Sequence, residues 1–245
     1  MIKPIPQTKL PQPEELGVFL IDKPTGFSSH DVINQVRRLT GVRRVGHTGT
    51  LDPLATGLLI ALIGREYTKL QTQFLKLDKE YLVTIQLGLT TDTYDITGKK
   101  SKQADWTEIQ SISRKQLMSA LRQFRGKISQ TVPAFSAIKQ AGKKLYDLAL
   151  QGSINQDQLP VRQINIHHLK LKSFTKNNQT ETAELVISLK VSSGTYVRSL
   201  AHDLGQTLGV GAIVTNLRRT KIGKYSVSKA VKLVMEKSSK IKSRN

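Results

Sequence analysis

Gly46-His47-Thr48-Gly49-Thr50-Leu51-Asp52-Pro53-Leu54-Ala55-Thr56-Gly57 is the stretch on which the reading turns. Its glycines and small hydroxyls let a backbone turn tightly and let another molecule come close. One carboxylate, Asp52, stands in its middle, with Arg43 and Arg44 before it and the apolar run Leu58-Leu59-Ile60-Ala61-Leu62-Ile63 after it. Asp52-Pro53 has the pattern of a helix N-cap followed by proline at the first helical position. The run from Leu58 to Ile63 fits a buried strand or a helix, because a short apolar run carries no period that separates the two. Taken alone, capping accounts for Asp52 without any chemistry.

Upstream, Val18-Phe19-Leu20-Ile21 predicts a short buried strand ending in the turn-forming Asp22-Lys23-Pro24-Thr25-Gly26. Ser28 or Ser29 caps a helix whose apolar positions are Val32, Ile33, Val36 and Leu39, with Gly41 as its C-terminal cap. Residues 1–15 hold four of the eight prolines and are expected to be a flexible lead-in. Downstream, Tyr81, Val83, Ile85 and Leu87 alternate with Glu80, Leu82, Thr84 and Gln86, which predicts a half-buried strand. Thr90 to Lys100 reads as a loop. Ser113 and Gln116 form a capping box ahead of Leu117, Ala120, Leu121 and Phe124. Residues 131–152 read as a long excursion with one short helix near 145–150, and insertions of that kind are often functional. Strands are expected near 163–173 and 182–192, then a helix from Tyr196 to Leu208 capped by Gly209 or Gly211. From Lys221 a lysine-rich tail is expected, fraying after about Leu233. No internal repeat is present. Hairpin-like strands interspersed with helices predict an α+β fold with a largely antiparallel sheet.

The 245 residues suffice for one large domain or two small ones. A formal net charge of +20 makes a nucleic acid or an anionic membrane the leading partner class. No apolar run approaches the roughly 20 residues that span a bilayer. The polar, proline-rich N-terminus is not a secretory signal, so the cytoplasm is the expected compartment. The chain has no cysteine, which excludes disulfides, thiolate metal sites and cysteine nucleophiles. Gly41-Val42-Arg43-Arg44-Val45-Gly46-His47-Thr48 superficially matches a phosphate-binding loop, but His47 replaces the required lysine and a helix precedes it. That argues against a nucleotide-dependent enzyme. His30, His47, His167, His168 and His202 show no metal-ligand spacing. One by one, Tyr81 reads as an ordinary strand aromatic, Arg198 as a solvated helix arginine, and the tail as a solvated end.

Together and in order, these segments resemble the TruB family of tRNA pseudouridine synthases. The resemblance rests on Asp22-Lys23-Pro24-Thr25-Gly26-Phe27-Ser28-Ser29, the 44–57 block, Lys79-Glu80-Tyr81 and Gly88-Leu89-Thr90-Thr91-Asp92-Thr93-Tyr94-Asp95. It continues through Pro133-Ala134-Phe135-Ser136-Ala137-Ile138-Lys139, Gly142-Lys143-Lys144-Leu145-Tyr146, Gly194-Thr195-Tyr196-Val197-Arg198 and Leu217-Arg218-Arg219. It runs from about residue 17 to 225, and the G-H-T-G-x-L-D-P-x-A-x-G block is its most specific part.

The resemblance implies a pseudouridine synthase fold, a mixed, mostly antiparallel sheet with flanking helices and a thumb-like insertion at 131–152. It implies isomerisation of uridine to pseudouridine in the TΨC loop of tRNA, by base flipping and C-glycoside formation. Asp52 then matches the essential aspartate, as nucleophile or base, and Arg198 the arginine that pairs with it. Tyr81 matches the aromatic that stacks on the target base, and Tyr196 and Leu217 match residues lining its pocket. His47 matches the histidine that enters the RNA loop where the flipped nucleotide leaves a gap. Lys23 matches an RNA-contacting position, and Lys139, Lys143 and Lys144 would meet phosphates. No cofactor and no metal is implied. The implied partner is the T arm of tRNA, bound by a monomer. Residues 16–228 are expected to form the catalytic domain and 229–245 a basic tail. The PUA-type domain of longer relatives is not expected, since only about 20 residues follow Gly223. Lys229, Lys232, Lys237, Lys240, Lys242 and Arg244 are expected to take over part of its tRNA contact by charge. The alternative is a non-catalytic tRNA-binding or folding protein on the same scaffold, which would not need Asp52.

Overall fold

The apolar run that opens the first expected strand forms β1 (Gly17–Lys23) in the computed structural model, which describes residues 17–235. The expected lead-in and the lysines beyond Met235 lie outside the described residues. The chain divides into two compact units, residues 17–75 with 225–235 and residues 76–224.

In the first unit, β1 is followed by α1 (Ser29–Thr40), β2 (Val45–His47) and β3 (Thr56–Ile63). Leu58 to Ile63 is thus a strand, buried along its whole length. It pairs antiparallel with β1, Gly17 opposite Ile63 and Lys23 opposite Gly57, and with β2, Val45 opposite Ile63. Strands paired on two sides and covered on both faces read as continuous apolar runs, which is why this one lacked a period. Ser28 caps α1 through a reciprocal capping box with Asp31. Gly41 closes the helix with φ 68°, its N–H donating to Arg37 O at 2.9 Å. Val32, Ile33 and Val36 bury against Phe19, Ile21, Leu59, Ala61 and Ile63. Two short helices, α2 (Arg65–Thr68) and α3 (Gln71–Leu75), complete this part. The returning chain packs Tyr225 on Phe74, ring centroids 5.7 Å apart. Asp22 N donates to Val231 O at 2.8 Å, Val231 N to Leu20 O at 3.0 Å, and Leu233 is buried. Val231 and Leu233 are thus apolar anchors among the lysines from which a solvated tail was expected.

The second unit contains β4 (Lys79–Leu87), β5 (Leu89–Thr91), β6 (Lys100–Gln103), α4 (Trp106–Ser111), α5 (Arg114–Gln123) and β7 (Gly126–Thr131). The excursion follows, with a small hairpin of β8 (Lys139–Gln140) and β9 (Lys143–Lys144) and then α6 (Leu145–Leu150). After it come β10 (Val161–Asn177), β11 (Thr182–Val191), α7 (Val197–Thr207) and β12 (Ala212–Ile222). The strands pair antiparallel in the order β12-β4-β11-β10-β7. Tyr81, Val83, Ile85 and Leu87 share the buried face of β4, as their alternation predicts. The loop expected at 90–100 begins and ends in the β5–β6 ladder.

β12 corrects the expectation of a tail from Lys221. It was illegible because two register shifts, between Val214 and Asn216 and between Arg219 and Lys221, reset its alternation. The inward positions are Ala212, Val214, Leu217, Arg219 and Ile222, and no period-2 template finds that set. α7 lies against β12, and at Gly205 a Cβ would overlap the backbone N of Ala212. Among the described residues, no helix is long and apolar enough to cross a membrane.

Candidate active site

The Asp52 turn belongs to the first unit. Asp52 is not a helix N-cap: Ala55 N donates to Asp52 O at 3.0 Å, closing a tight turn that runs into β3. Leu51 and Ala55 are buried on either side of the half-exposed Asp52. Proline at 53 rigidifies the turn rather than starting a helix, because the chain must extend at once to pair with β1.

The segment Lys23 to Ser29 fastens this turn. Gly26 N donates to Pro53 O at 2.8 Å and Thr25 Oγ1 to Leu54 O at 3.1 Å. Ser29 Oγ donates to Leu51 O at 3.0 Å and accepts from Leu51 N at 2.8 Å. Lys23 Nζ donates to Phe27 O at 2.7 Å, Pro24 O at 2.9 Å and Pro53 O at 3.4 Å. Lys23 is 0% exposed, which corrects its expected contact with RNA. A buried ammonium needs acceptors, and these carbonyls supply them. Lys23 holds the loop beside Asp52 and does not present its charge to solvent.

His47, at the end of β2, stands half-buried at the start of the same loop. Gln71 Nε2 donates to its carbonyl at 2.7 Å, and Gly49 N donates to its Nδ1 at 3.4 Å.

In the second unit, Tyr81 sits on β4 between Leu189 of β11 and Arg219 of β12, and Leu217 is opposite Val83 on the same face. Arg219 is 1% exposed. Lys79 lies on this face too, its Nζ donating to Leu77 O at 2.6 Å. Burial first, then the Arg219 guanidinium, pushes its ammonium down to about 8.

Arg198, at the start of α7, is 5% exposed and so is not a solvated helix arginine. Nη1 donates to Thr93 O at 2.7 Å and Nη2 to Phe135 O at 3.1 Å, while Nε lies 3.8 Å from Asp95 Oδ2. Asp95 is buried and accepts from Thr93 Oγ1 at 2.8 Å, Thr97 N at 2.9 Å and Thr97 Oγ1 at 2.6 Å. Tyr196 is the N-cap residue of α7, and Gln130 clamps its backbone. Gln130 Oε1 accepts from Tyr196 N at 2.8 Å, and Nε2 donates to Tyr196 O at 3.0 Å. The Tyr196 side chain packs against Val132, Leu145 and Leu159.

Lys139, Lys143 and Lys144 are exposed and meet on one hairpin, Lys139 directly opposite Lys144. Like charges opposite one another destabilise a ladder, so stability does not explain them. Asp95, Gln130 and Arg219 were not singled out from sequence. Asp95 and Arg219 stand inside quoted motifs, but only register and burial separate Arg219 from Arg218. Nothing in the sequence marks Gln130. Among the described residues, no group of three or more His, Asp or Glu is placed to hold a metal ion.

Residues 37–197 match the TruB family pseudouridylate synthase N-terminal domain, and residues 198–238 match the tRNA pseudouridylate synthase B C-terminal domain. The tRNA pseudouridine synthase B of Protochlamydia amoebophila is 44% identical over 209 residues, 85% of this chain and 75% of that protein. The protein of the same name from Chlamydia muridarum is 42% identical over 219 residues, 88% of this chain and 84% of that protein. Among solved structures, a chain of an H/ACA RNP bound to a substrate RNA containing 2′-deoxyuridine superposes with TM-score 0.62 at 22% identity. A Cbf5-Nop10-Gar1 complex gives TM-score 0.63 at 23% identity. This chain is covered to 94% and 95% by those two, and spans 57% and 59% of their length, so they bear on the α+β pseudouridine synthase fold. Family match, relatives and fold agree, and the chain belongs to the TruB family of pseudouridylate synthases.

Proposed function

We propose that this chain isomerises uridine to pseudouridine in the TΨC loop of tRNA, acting as a monomer in the cytoplasm. The observation that carries the reading is the Asp52 turn, fastened by Lys23, Thr25, Gly26 and Ser29, in a chain whose relatives carry the name tRNA pseudouridine synthase B. The reaction breaks the N1–C1′ bond of uridine, turns the base and joins C5 to C1′, and the C5 proton leaves to solvent while N1 gains one. Atoms balance and no electron is transferred. What the protein must supply is a fixed, ionised carboxylate, as nucleophile or base, and a place for the extruded base.

Asp52 supplies the carboxylate. Its turn is rigid before substrate arrives, so little ordering is left for the reaction to provide. Tyr81 offers a ring face to the uracil, with Leu217 and Tyr196 as apolar surroundings. Arg198 supplies the cation that keeps a carboxylate ionised during the reaction. His47 fills the space that the flipped base vacates. Lys139, Lys143 and Lys144 meet backbone phosphates.

Asp52→Asn tests the reading. Pseudouridine mapped by mass spectrometry in unmodified tRNA should disappear, while the tRNA dissociation constant changes less than about threefold. Turnover by that variant would remove Asp52 from the chemistry. Wild-type protein that binds tRNA without forming pseudouridine would favour the non-catalytic reading.

A further inference from the structure

A loop beside Arg198 is held to α7 by a ring stack that the function above does not use. Tyr94 and His202 lie face to face, centroids 3.9 Å apart and planes 16° apart. Tyr94 has φ 62°, a left-handed conformation that a non-glycine residue keeps only when its surroundings hold it. The residues on either side of Tyr94 both engage Arg198, one as a hydrogen-bond acceptor and the other as its counter-ion. Thr93 O takes Nη1 at 2.7 Å, and the Asp95 carboxylate lies 3.8 Å from Nε. Val214 N donates to Tyr94 O at 3.1 Å and Ile96 N to Val214 O at 3.0 Å, so β12 holds the backbone of the loop while His202 holds its ring.

Arg198 and His202 are four residues apart in α7 and therefore lie on one helix face. The cation and the ring that secures its partners are thus carried by one rigid element. His202 Nδ1 is buried and has no hydrogen-bond partner. A leucine or phenylalanine would pack there without an orphaned polar atom, so stability alone is a poor reason for a histidine. The feature of the ring that is used is its face. Burial pushes its pKa down, which keeps the ring neutral beside the cation one turn away.

We propose that His202 is a positioning residue for pseudouridine formation: its stack on Tyr94 holds the Thr93–Asp95 loop and thereby fixes the plane of the Arg198 guanidinium. A guanidinium presents its donors in a planar fork, so the loop's carbonyl acceptor on Nη1 and its carboxylate beside Nε, together with Phe135 O on Nη2, set the plane of the group. This inference rests on the proposed function, and it adds a residue to the machinery that no motif contains.

The test uses the full chain and unmodified tRNA. His202→Ala should lower kcat about tenfold while KM and the tRNA dissociation constant stay within about twofold. His202→Phe, which restores a ring face, should recover kcat to within about threefold of wild type. In an Arg198→Lys background, His202→Ala should cost little more, because both changes act through one guanidinium. Amide exchange at Ile96 and Thr97 should speed up about tenfold in His202→Ala and not in His202→Phe. An unchanged kcat in His202→Ala overturns the proposal, as does a full further loss in the Arg198→Lys background or unchanged exchange in the loop. If His202→Ala fails to fold, His202→Leu takes its place, packing the site without a ring face. Wild-type protein inactive on tRNA would overturn the proposed function, and the exchange measurement would still decide whether His202 fixes the loop.

Discussion

At the scale of single residues, burial rather than residue type separates the polar groups that hold the structure from those left exposed to solvent. Lys23 and Lys139 carry the same ammonium, yet one is enclosed by three carbonyls and the other is exposed on a hairpin. Asp52, Asp95 and Asp203 divide similarly. Asp52 sits in a turn, Asp95 beside a guanidinium, and Asp203 on α7, where burial raises its carboxyl from 3.8 to about 6. A carboxyl with a raised pKa binds its proton more tightly in the folded state. Its contribution to stability is full below the unfolded value and is lost as pH rises through about 6, leaving a charged, half-buried group above that. Asp203→Asn should therefore stabilise the protein at pH 8 by about 1–2 kcal/mol, after screening of its exposed side, and by little near pH 4. Thermal melts of both proteins at the two pH values check this; an equal difference at both would show that the charge is not what costs stability. In the sequence Lys23 and Lys139 look alike, because exposure is not a property of a residue type.

At the scale of elements, strict period-2 alternation located β4 and β11, and capping chemistry located α1 and α5. The 131–152 excursion and its helix at 145–150 were legible from composition. Two of the elements that the sequence did not show correctly differ in their reasons. β12 hides behind two bulges, which reset the phase of its inward side chains. The Asp52-Pro53 signature belongs equally to a helix start and a tight turn, and the strand pairing that follows at Thr56 selects the turn. The β8–β9 hairpin also carries a consequence at this scale. Changing Lys139, Lys143 and Lys144 together to alanine removes a like-charge cluster, so stability should hold or rise slightly. Affinity for tRNA should fall, and the slope of log affinity against log salt should flatten by about 2–3 units. A binding titration across salt concentrations reads both, and an unchanged slope would exclude the hairpin from phosphate contact.

At the scale of the whole molecule, the +20 charge predicts salt-sensitive attachment to a polyanion. Deleting residues 236–245 removes Lys237, Lys240, Lys242 and Arg244 while keeping Leu233 and Val234, whose carbonyl accepts from Gln35 Nε2 at 3.2 Å. That truncation should weaken tRNA binding chiefly at low salt, flattening the slope by up to about 3 units and leaving the melting temperature within about 2 °C. Salt titration of the truncated protein decides it, and an unchanged slope would mean that charge carried nearer the folded units does the work. The sequence by itself narrowed the partner to a polyanion, nucleic acid or anionic membrane, through net charge, and indicated the α+β class through its mixture of periods and the family through an ordered set of local motifs. Those are properties of composition and of neighbours along the chain. Only the tertiary structure decided that Lys23 frames the Asp52 turn, that Arg198 lies beside Asp95, and that Arg219 rather than Arg218 faces Tyr81. Each of these follows from strand register, burial and contacts between residues distant in sequence, and none is encoded in the spacing of side chains along the chain.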